Sequence, residues 1–185
     1  MADKYFIVID MQNDFVTGAL GTKEAEAAAQ NTIQKVKQFQ GKILFTQDTH
    51  EENYLETQEG KILPVKHCIR GTVGWRLIPE LEVFQKEANH PVFEKNTFGS
   101  VALAQFLLEK YREKSIESVE LAGLCTDICV ISNALLIKAY TPELPIIVDV
   151  SCCAGVSPDK HHAALQTMES CQIILNADKR SNLRS

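Results

Sequence analysis

A three-layer α/β/α sandwich on a parallel sheet of roughly six strands is the fold this sequence predicts, and three observations carry it. Short runs rich in β-branched and aromatic residues alternate with stretches of helical period, the rhythm of strand-helix-strand crossovers. With 185 residues and 45% hydrophobic composition, the chain can bury roughly 70% of its unfolded surface without disulfide or metal support, so one domain is expected over residues 1–185. Finally, residues suited to chemistry lie just past several strands, where the carboxyl edge of a parallel sheet would gather them.

Each element has a local reason. Tyr5-Phe6-Ile7-Val8-Ile9 reads as the first strand and ends on Asp10. Thr22 can cap the next helix, Glu24 and Glu26 suit its positive end, and Ala29, Ile33 and Val36 line one face until Gly41 stops it. Lys42-Ile43-Leu44-Phe45-Thr46-Gln47 is a second buried strand leading into Asp48-Thr49-His50. From about 49 to 90 no period is sustained, only punctuation at Gly60, Pro64, Gly71, Gly74 and Pro79 around at most a short helical turn. A loop of that length is usually functional.

Regular alternation resumes with the strand Pro91-Val92-Phe93-Glu94, which ends on Lys95. A helix near Val101 to Tyr111 presents Val101, Ala104 and Leu108, and Val119-Glu120-Leu121-Ala122 is the next strand. A helix from about Thr126 to Tyr140, a strand at Pro145-Ile146-Ile147-Val148-Asp149-Val150, a helix begun by Ser157-Pro158 and a last strand at Gln172-Ile173-Ile174-Leu175 complete the order. The tail beyond Ala177 is expected to fray.

The formal charge of -5 comes from scattered acidic residues, so neither nucleic acid nor an anionic membrane finds an electrostatic footprint, and a small molecule is the expected partner. No apolar run approaches the roughly 18 residues of a membrane span. Met1-Ala2-Asp3-Lys4-Tyr5 enters a strand pattern directly, with no signal-peptide pattern, and a cytoplasmic protein is expected. Six irregularly spaced cysteines suit free thiols in a reducing compartment.

Asp10, Lys95 and Cys129 carry the chemistry. Taken singly they have ordinary explanations: an Asp capping a turn, a surface Lys and a buried apolar Cys. Their joint placement after three strands favours a site. A thiol attacks as thiolate and needs a helix N-terminus, a cation or a base beside it. Cys129 would lie in the first turn of its helix, with Lys95 supplying positive charge and Asp10 acting as general base. Backbone N–H groups of Cys125 and Cys129 can hold the oxyanion of a tetrahedral intermediate. Cys125 and Cys129 lack C-x-x-C redox spacing, Cys152-Cys153 fit a strand end, and His161-His162 are expected to face solvent. The glycines form neither a dinucleotide fingerprint nor a P-loop.

Ile9-Asp10-Met11-Gln12-Asn13-Asp14-Phe15, Lys95 after its strand, and Gly123-Leu124-Cys125-Thr126-Asp127-Ile128-Cys129-Val130 together resemble the isochorismatase-like cysteine hydrolase superfamily over nearly the whole chain. The resemblance implies an Asp10-Lys95-Cys129 catalytic triad, a six-stranded parallel sheet and a non-proline cis peptide at Leu124-Cys125. Asp48-Thr49-His50 places two ligand-type side chains on one side of an extended segment, and His67 would complete an Asp/His/His face. The bland reading is a solvated Asp and two exposed loop histidines. The full combination is similar to nicotinamidases, in which a divalent ion holds the pyridine nitrogen while the carboxamide meets the thiol. Carboxylate plus imidazole suits zinc, iron or manganese. A fourth ligand varies there among His, Glu and water; here Glu59, nine residues after His50, is preferred to Glu56.

The same resemblance makes Phe15 an aromatic pocket wall. Leu124, Phe98 and Trp75 are further substrate-contact candidates from the same segments, the two aromatics equally readable as core or lid packing. The implied activity is hydrolysis of nicotinamide to nicotinate and ammonia through a thioester, with pyrazinamide as an analogue, in NAD salvage. The alternatives are a related hydrolase of another small amide, carbamoyl compound or vinyl ether, and a non-catalytic metal- or ligand-binding member. A homo-oligomer is what the family resemblance implies.

Overall fold

The structure, a computed structural model, describes residues 2–176, and the tail expected to fray beyond Ala177 lies outside them. The six strands are β1 (Asp3–Ile9), β2 (Lys42–Asp48), β3 (Val92–Lys95), β4 (Ile116–Leu124), β5 (Ile146–Ala154) and β6 (Ile174–Asn176). They form one sheet in the order β3-β2-β1-β4-β5-β6, every neighbouring pair parallel. The helices are α1 (Asn13–Val16), α2 (Lys23–Gln38), α3 (Gln58–Ile62), α4 (Pro79–Glu87), α5 (Val101–Arg112), α6 (Ile131–Tyr140) and α7 (Pro158–Ser170).

β1 runs through the middle of the sheet and is buried on both sides, which is why it reads as a continuous apolar run rather than an alternating one. Tyr5, Ile7 and Ile9 pack on the face covered by α5, α6 and α7, where Leu103, Leu107, Ala134 and Met168 meet them. Phe6 and Val8 pack on the opposite face with Ala25, Ala29, Ile33 and Val36 of α2 and Leu81 of α4. Because the chain leaves β1 and β4 toward opposite faces, the order reverses between them and a crevice opens at their carboxyl ends. The register sets Ile9 beside Gly123 there, and Asp48 beside Lys95 on the neighbouring β2–β3 pair. Gly123 has φ 139°, and a Cβ on it would lie 2.0 Å from the Ile9 carbonyl oxygen, so only glycine lets the two strands approach.

The expected signals at Thr22 and Ser157 hold, and Ser100, not singled out in the sequence, caps a third helix. Thr22, Ser100 and Ser157 each accept a hydrogen bond from the backbone N–H three residues on. Two expectations are corrected. The segment after residue 49 contains α4, a nine-residue helix with Pro79 in its first turn, beside the short turns Tyr54–Glu56 and α3. Only Leu81 of α4 is fully buried, so its apolar period is too short to register in the sequence. On α5 the buried stripe is Leu103, Ala104 and Leu107; Val101 is exposed, one turn too early to meet the sheet. Among the described residues no helix is long and apolar enough to cross a membrane.

Candidate active site

Asp10, Lys95 and Cys129 arrive at the crevice on three separate elements and are all buried. Asp10 leaves β1 in a left-handed conformation, φ 49°, which turns its side chain back over the sheet edge. Thr46 of β2 fixes it twice: the Asp10 N–H donates to Thr46 Oγ1 at 3.2 Å, and the Thr46 hydroxyl donates to Asp10 Oδ1 at 2.6 Å. Lys95 Nζ then lies 2.7 Å from Asp10 Oδ2, 3.4 Å from Cys129 Sγ and 3.1 Å from Asp48 Oδ1. The ammonium donates to Asp48 Oδ1 and Cys129 Sγ and forms an ion pair with Asp10 Oδ2. Lys95 therefore joins the thiol and its carboxylate to the Asp48 rim.

Cys129 sits in a wide turn, Thr126–Val130, that replaces the first turn of the expected helix. Its signature is the bond from the Val130 N–H to the Cys125 carbonyl, five residues back, at 3.1 Å. The Leu124-Cys125 peptide before it is cis. Asn133 holds the turn from below: its Nδ2 donates to the Cys129 carbonyl at 2.8 Å and to the Phe98 carbonyl at 3.1 Å, while its Oδ1 accepts from the Ser100 N–H at 2.9 Å. From the side, Asp127 Oδ1 accepts from the Val156 N–H at 2.9 Å, and Thr126 Oγ1 lies 2.8 Å from His161 Nδ1. His161 is thus half-buried against the turn rather than solvated.

The electrostatics revise one expectation about the thiol. Burial, then the negative charge of Asp10, pushes the Cys129 thiol well above its ordinary value, and the Lys95 ammonium does not reverse this. Burial also raises Asp10, with Asp48 adding to it and Lys95 and Thr46 opposing. Lys95 stays firmly protonated: burial alone would lower it, but the charges of Asp10 and Asp48 outweigh that cost. The resting state is a thiol beside a carboxylate of raised proton affinity, so sulfur becomes nucleophilic only as its proton leaves. Cys125 is likewise held up by burial, to about 12.

Next to this group, Asp48, His50 and His67 bring ligand atoms within 4.8 Å of one another. Asp48 Oδ2 is 3.0 Å from His50 Nε2 and 3.8 Å from His67 Nε2. Glu59 Oε1 stands 3.7 Å from both imidazole nitrogens, completing a four-sided set. A carbonyl only accepts, so the 2.8 Å contact of His67 Nδ1 with the Val65 carbonyl puts the proton on Nδ1 and leaves the Nε2 lone pair facing the set. His50 Nε2 is buried with no hydrogen-bond partner. An orphaned ring nitrogen, a second imidazole of fixed tautomer and two carboxylates fit a divalent cation. The rings are wedged in place by Tyr54, whose ring centre is 4.6 Å from that of His50 and 5.0 Å from that of His67.

Between the thiol and these donors is a cavity of about 160 Å³. Phe15, Phe98, Leu124 and Cys125 form part of its walls, with Cys129 on one side and Asp48, Glu59 and His67 on another. Trp75 is placed elsewhere and is absent from the lining. Its indole N–H donates to Thr49 Oγ1 at 2.9 Å and its carbonyl accepts from Gln12 and Gln47, so it props the loop behind the site.

Sequence reasoning passed over the residues that brace the site through backbone atoms. Gln12 Nε2 donates to the Asp48 carbonyl and Gln12 Oε1 accepts from the Asp48 N–H, both at 2.8 Å. Asp14 Oδ2 accepts from the Cys68 N–H at 2.8 Å, fixing the residue after His67. Asn133 does the same for Cys129. The available signal was a buried-context amide next to a strand end or inside an apolar helix.

The family model of the isochorismatase domain matches residues 4–178. An uncharacterized isochorismatase family protein, PncA, of Bacillus subtilis is 31% identical over 172 residues, spanning 88% of this chain and 92% of its own. The nicotinamidase/pyrazinamidase of Mycobacterium tuberculosis is 28% identical over 185 residues, spanning 91% and 96%. The crystal structure of pyrazinamidase/nicotinamidase from Streptococcus mutans UA159 superposes with a TM-score of 0.81 at 27% identity, covering 94% of this chain and 99% of that one.

Proposed function

Since the chain belongs to the isochorismatase family, we propose that it is a nicotinamidase-type amidohydrolase that converts nicotinamide and water to nicotinate and ammonia. One observation carries the reading: a single ammonium, Lys95 Nζ, contacts the general-base candidate, the thiol and a metal-ligand candidate at once. Chemistry at sulfur and binding at the donor rim therefore belong to one site. Nicotinamidases and pyrazinamidases among its relatives support the substrate class.

As Cys129 Sγ attacks the carboxamide carbon, Asp10 takes the thiol proton; the raised proton affinity of Asp10 suits it to receive and return that proton. The carbonyl oxygen becomes an oxyanion facing the backbone N–H groups of Cys125 and Cys129. Asp10 then protonates the departing nitrogen, the C–N bond breaks, and ammonia leaves a thioester on Cys129. Water gives a proton to Asp10 and adds to the thioester carbon; the C–S bond breaks, and Asp10 returns the proton to sulfur. Lys95 stays charged throughout and holds Asp10 in line. Phe15, Phe98 and Leu124 flank the aromatic ring. Asp48, His50, His67 and Glu59 would hold a divalent ion, zinc being the first choice over iron or manganese, and that ion supplies a Lewis-acidic anchor for the ring nitrogen. The six free cysteines suit a cytoplasmic, reducing compartment, and nicotinate is a product for NAD salvage.

Ammonia release from a panel of small carboxamides, with metal analysis of the same sample, tests this. Cys129→Ala should abolish release and leave metal content unchanged. Turnover retained by that variant would remove Cys129 as nucleophile.

A further inference from the structure

The cavity beside Cys129 opens outward. Glu59, Leu63, Phe98, Ile128 and Val156 line it and also line a second, open groove of about 1150 Å³. These five side chains border both spaces. Around the shared mouth stand four large apolar residues that face water: Ile62 at 77% exposure, Leu63, Phe98 at 47% and Val156 at 49%. They come from three separate segments, the end of α3, the loop after β3 and the loop after β5. An isolated exposed apolar side chain needs no explanation, but four that converge on the opening of a cavity mark a binding surface.

A single unsubstituted ring amide fits the inner cavity, where it meets the inward sides of Leu63, Phe98 and Val156, and leaves Ile62 and the outward sides of those three in water. Covering them takes a ligand that extends outward from the ring. Its chemistry follows from the groove's charges. Arg70 already pairs with Glu51 and Glu94, Lys95 is enclosed by Asp10 and Asp48, and Lys160 stays exposed on the rim. A charged extension gains little over water there, whereas an apolar one buries apolar wall on both sides.

Building on the amidohydrolase reading, we propose that this chain hydrolyses aromatic carboxamides whose ring carries an apolar substituent, seated in the groove between Ile62 and Leu63 on one side and Phe98 and Val156 on the other. The reaction at Cys129 is unchanged: the carboxamide C–N bond breaks, water supplies the hydroxyl, and the substituent takes no part. The unsubstituted pyridine carboxamide is then the smallest member of the substrate class, and Ile62, which lies outside the inner cavity, sets the preference for the larger members.

The test is a kinetic series of pyridine-3-carboxamides, unsubstituted or carrying methyl, butyl or phenyl at each open ring position in turn, read by ammonia release. At one position or more, butyl and phenyl should raise kcat/KM by about fivefold or more, mainly through a lower KM, as removal of apolar area from water requires. Ile62→Ser should erase most of that gain and leave the unsubstituted amide within about twofold, because its side chain is exposed and away from the thiol. Turnover of the unsubstituted amide with no gain at any ring position overturns the subsite while leaving the amidohydrolase reading intact. No turnover of any amide overturns both. Ile62→Ser that dissociates an oligomer in size-exclusion chromatography and changes every substrate equally assigns the groove to a second copy of the chain, and the subsite falls.

Discussion

Lys95 and Asp48 are register partners across β3 and β2, and their side chains meet at 3.1 Å on the carboxyl edge of the sheet. Asp48 uses its two oxygens in different directions: Oδ1 toward the ammonium that serves Asp10 and Cys129, Oδ2 toward His50 and His67. Parallel pairing alone produces this link, because residues level with one another at two strand ends share a rim without any loop to position them.

Removing Lys95 would leave Asp10 and Asp48 buried beside each other with no ammonium between them, and Asp10 with no cationic partner. Lys95→Met should therefore cost about 3–5 kcal/mol of stability, the range for breaking a buried pair from one side. Urea unfolding at neutral pH measures it. The loss should shrink as pH falls and the carboxylates protonate; a loss that does not change with pH would mean that like-charge repulsion is not its cause.

Asp10→Asn keeps the shape and removes the proton acceptor. The expected fall in kcat/KM is roughly 10²–10⁴-fold with the fold retained, the usual span for general acid-base catalysis. In the unsubstituted enzyme the acid limb of kcat/KM should titrate above the ordinary carboxylate value, since burial raises Asp10. The sign follows from the role: the carboxylate is the working form, so activity is present above that pKa and lost as pH falls through it. An acid limb at or below the ordinary value would detach Asp10 from the proton transfer.

Gln12 grips both backbone polar groups of Asp48. Gln12→Ala leaves a buried N–H and carbonyl without partners and frees Asp48 to turn. Affinity for zinc, measured by chelator competition, should drop by about 10–100-fold, as for other residues that hold metal ligands in place. Alkylation of Cys129 should change far less, because Lys95 and Asp10 keep their own contacts. Equal losses in both would show that Gln12 supports the whole edge rather than the donor set.

What is legible in the sequence is what is decided locally or by the sheet's directionality. The apolar run of β1, the hydroxyl caps at Thr22 and Ser157, and the arrival of Asp10, Lys95 and Cys129 at one edge all follow from short-range pattern plus parallel topology. The bracing amides are not, since Gln12 reaches backbone atoms 36 residues away and Asn133, besides the Cys129 carbonyl four residues back, reaches one 33 residues away, which no residue-type pattern encodes. The turn holding Cys129 has helical composition, and only its five-residue hydrogen bond separates it from an ordinary helix start. Trp75 shows the same limit from the other side: an aromatic near a motif can wall a pocket or prop a loop, and the deciding fact is the Thr49 hydroxyl that meets its indole. Burial inverts the thiol expectation, since proximity to Lys95 is readable but enclosure is not.

The wall of the cavity formed by Ala154, Gly155 and Val156 is tied to the turn that carries Cys129 by Asp127, whose Oδ1 holds the Val156 N–H at 2.9 Å. Gly155 packs so closely that a Cβ there would meet Asp127 Oδ1 at 2.8 Å and His161 Cβ at 2.9 Å. Asp127 thus reports on two things at once, the position of the turn and the closeness of the wall. Asp127→Ala removes the tie without adding bulk, so the wall should loosen and KM for a small ring amide should rise about tenfold, the effect of losing one charge-assisted hydrogen bond. Asp127→Asn retains an acceptor oxygen for the Val156 N–H and should restore most of the affinity. If Asp127→Ala instead lowers kcat alone, the carboxylate acts on Cys129 through the turn and the wall is held by the fit of Gly155; steady-state kinetics of the two variants side by side decide between these.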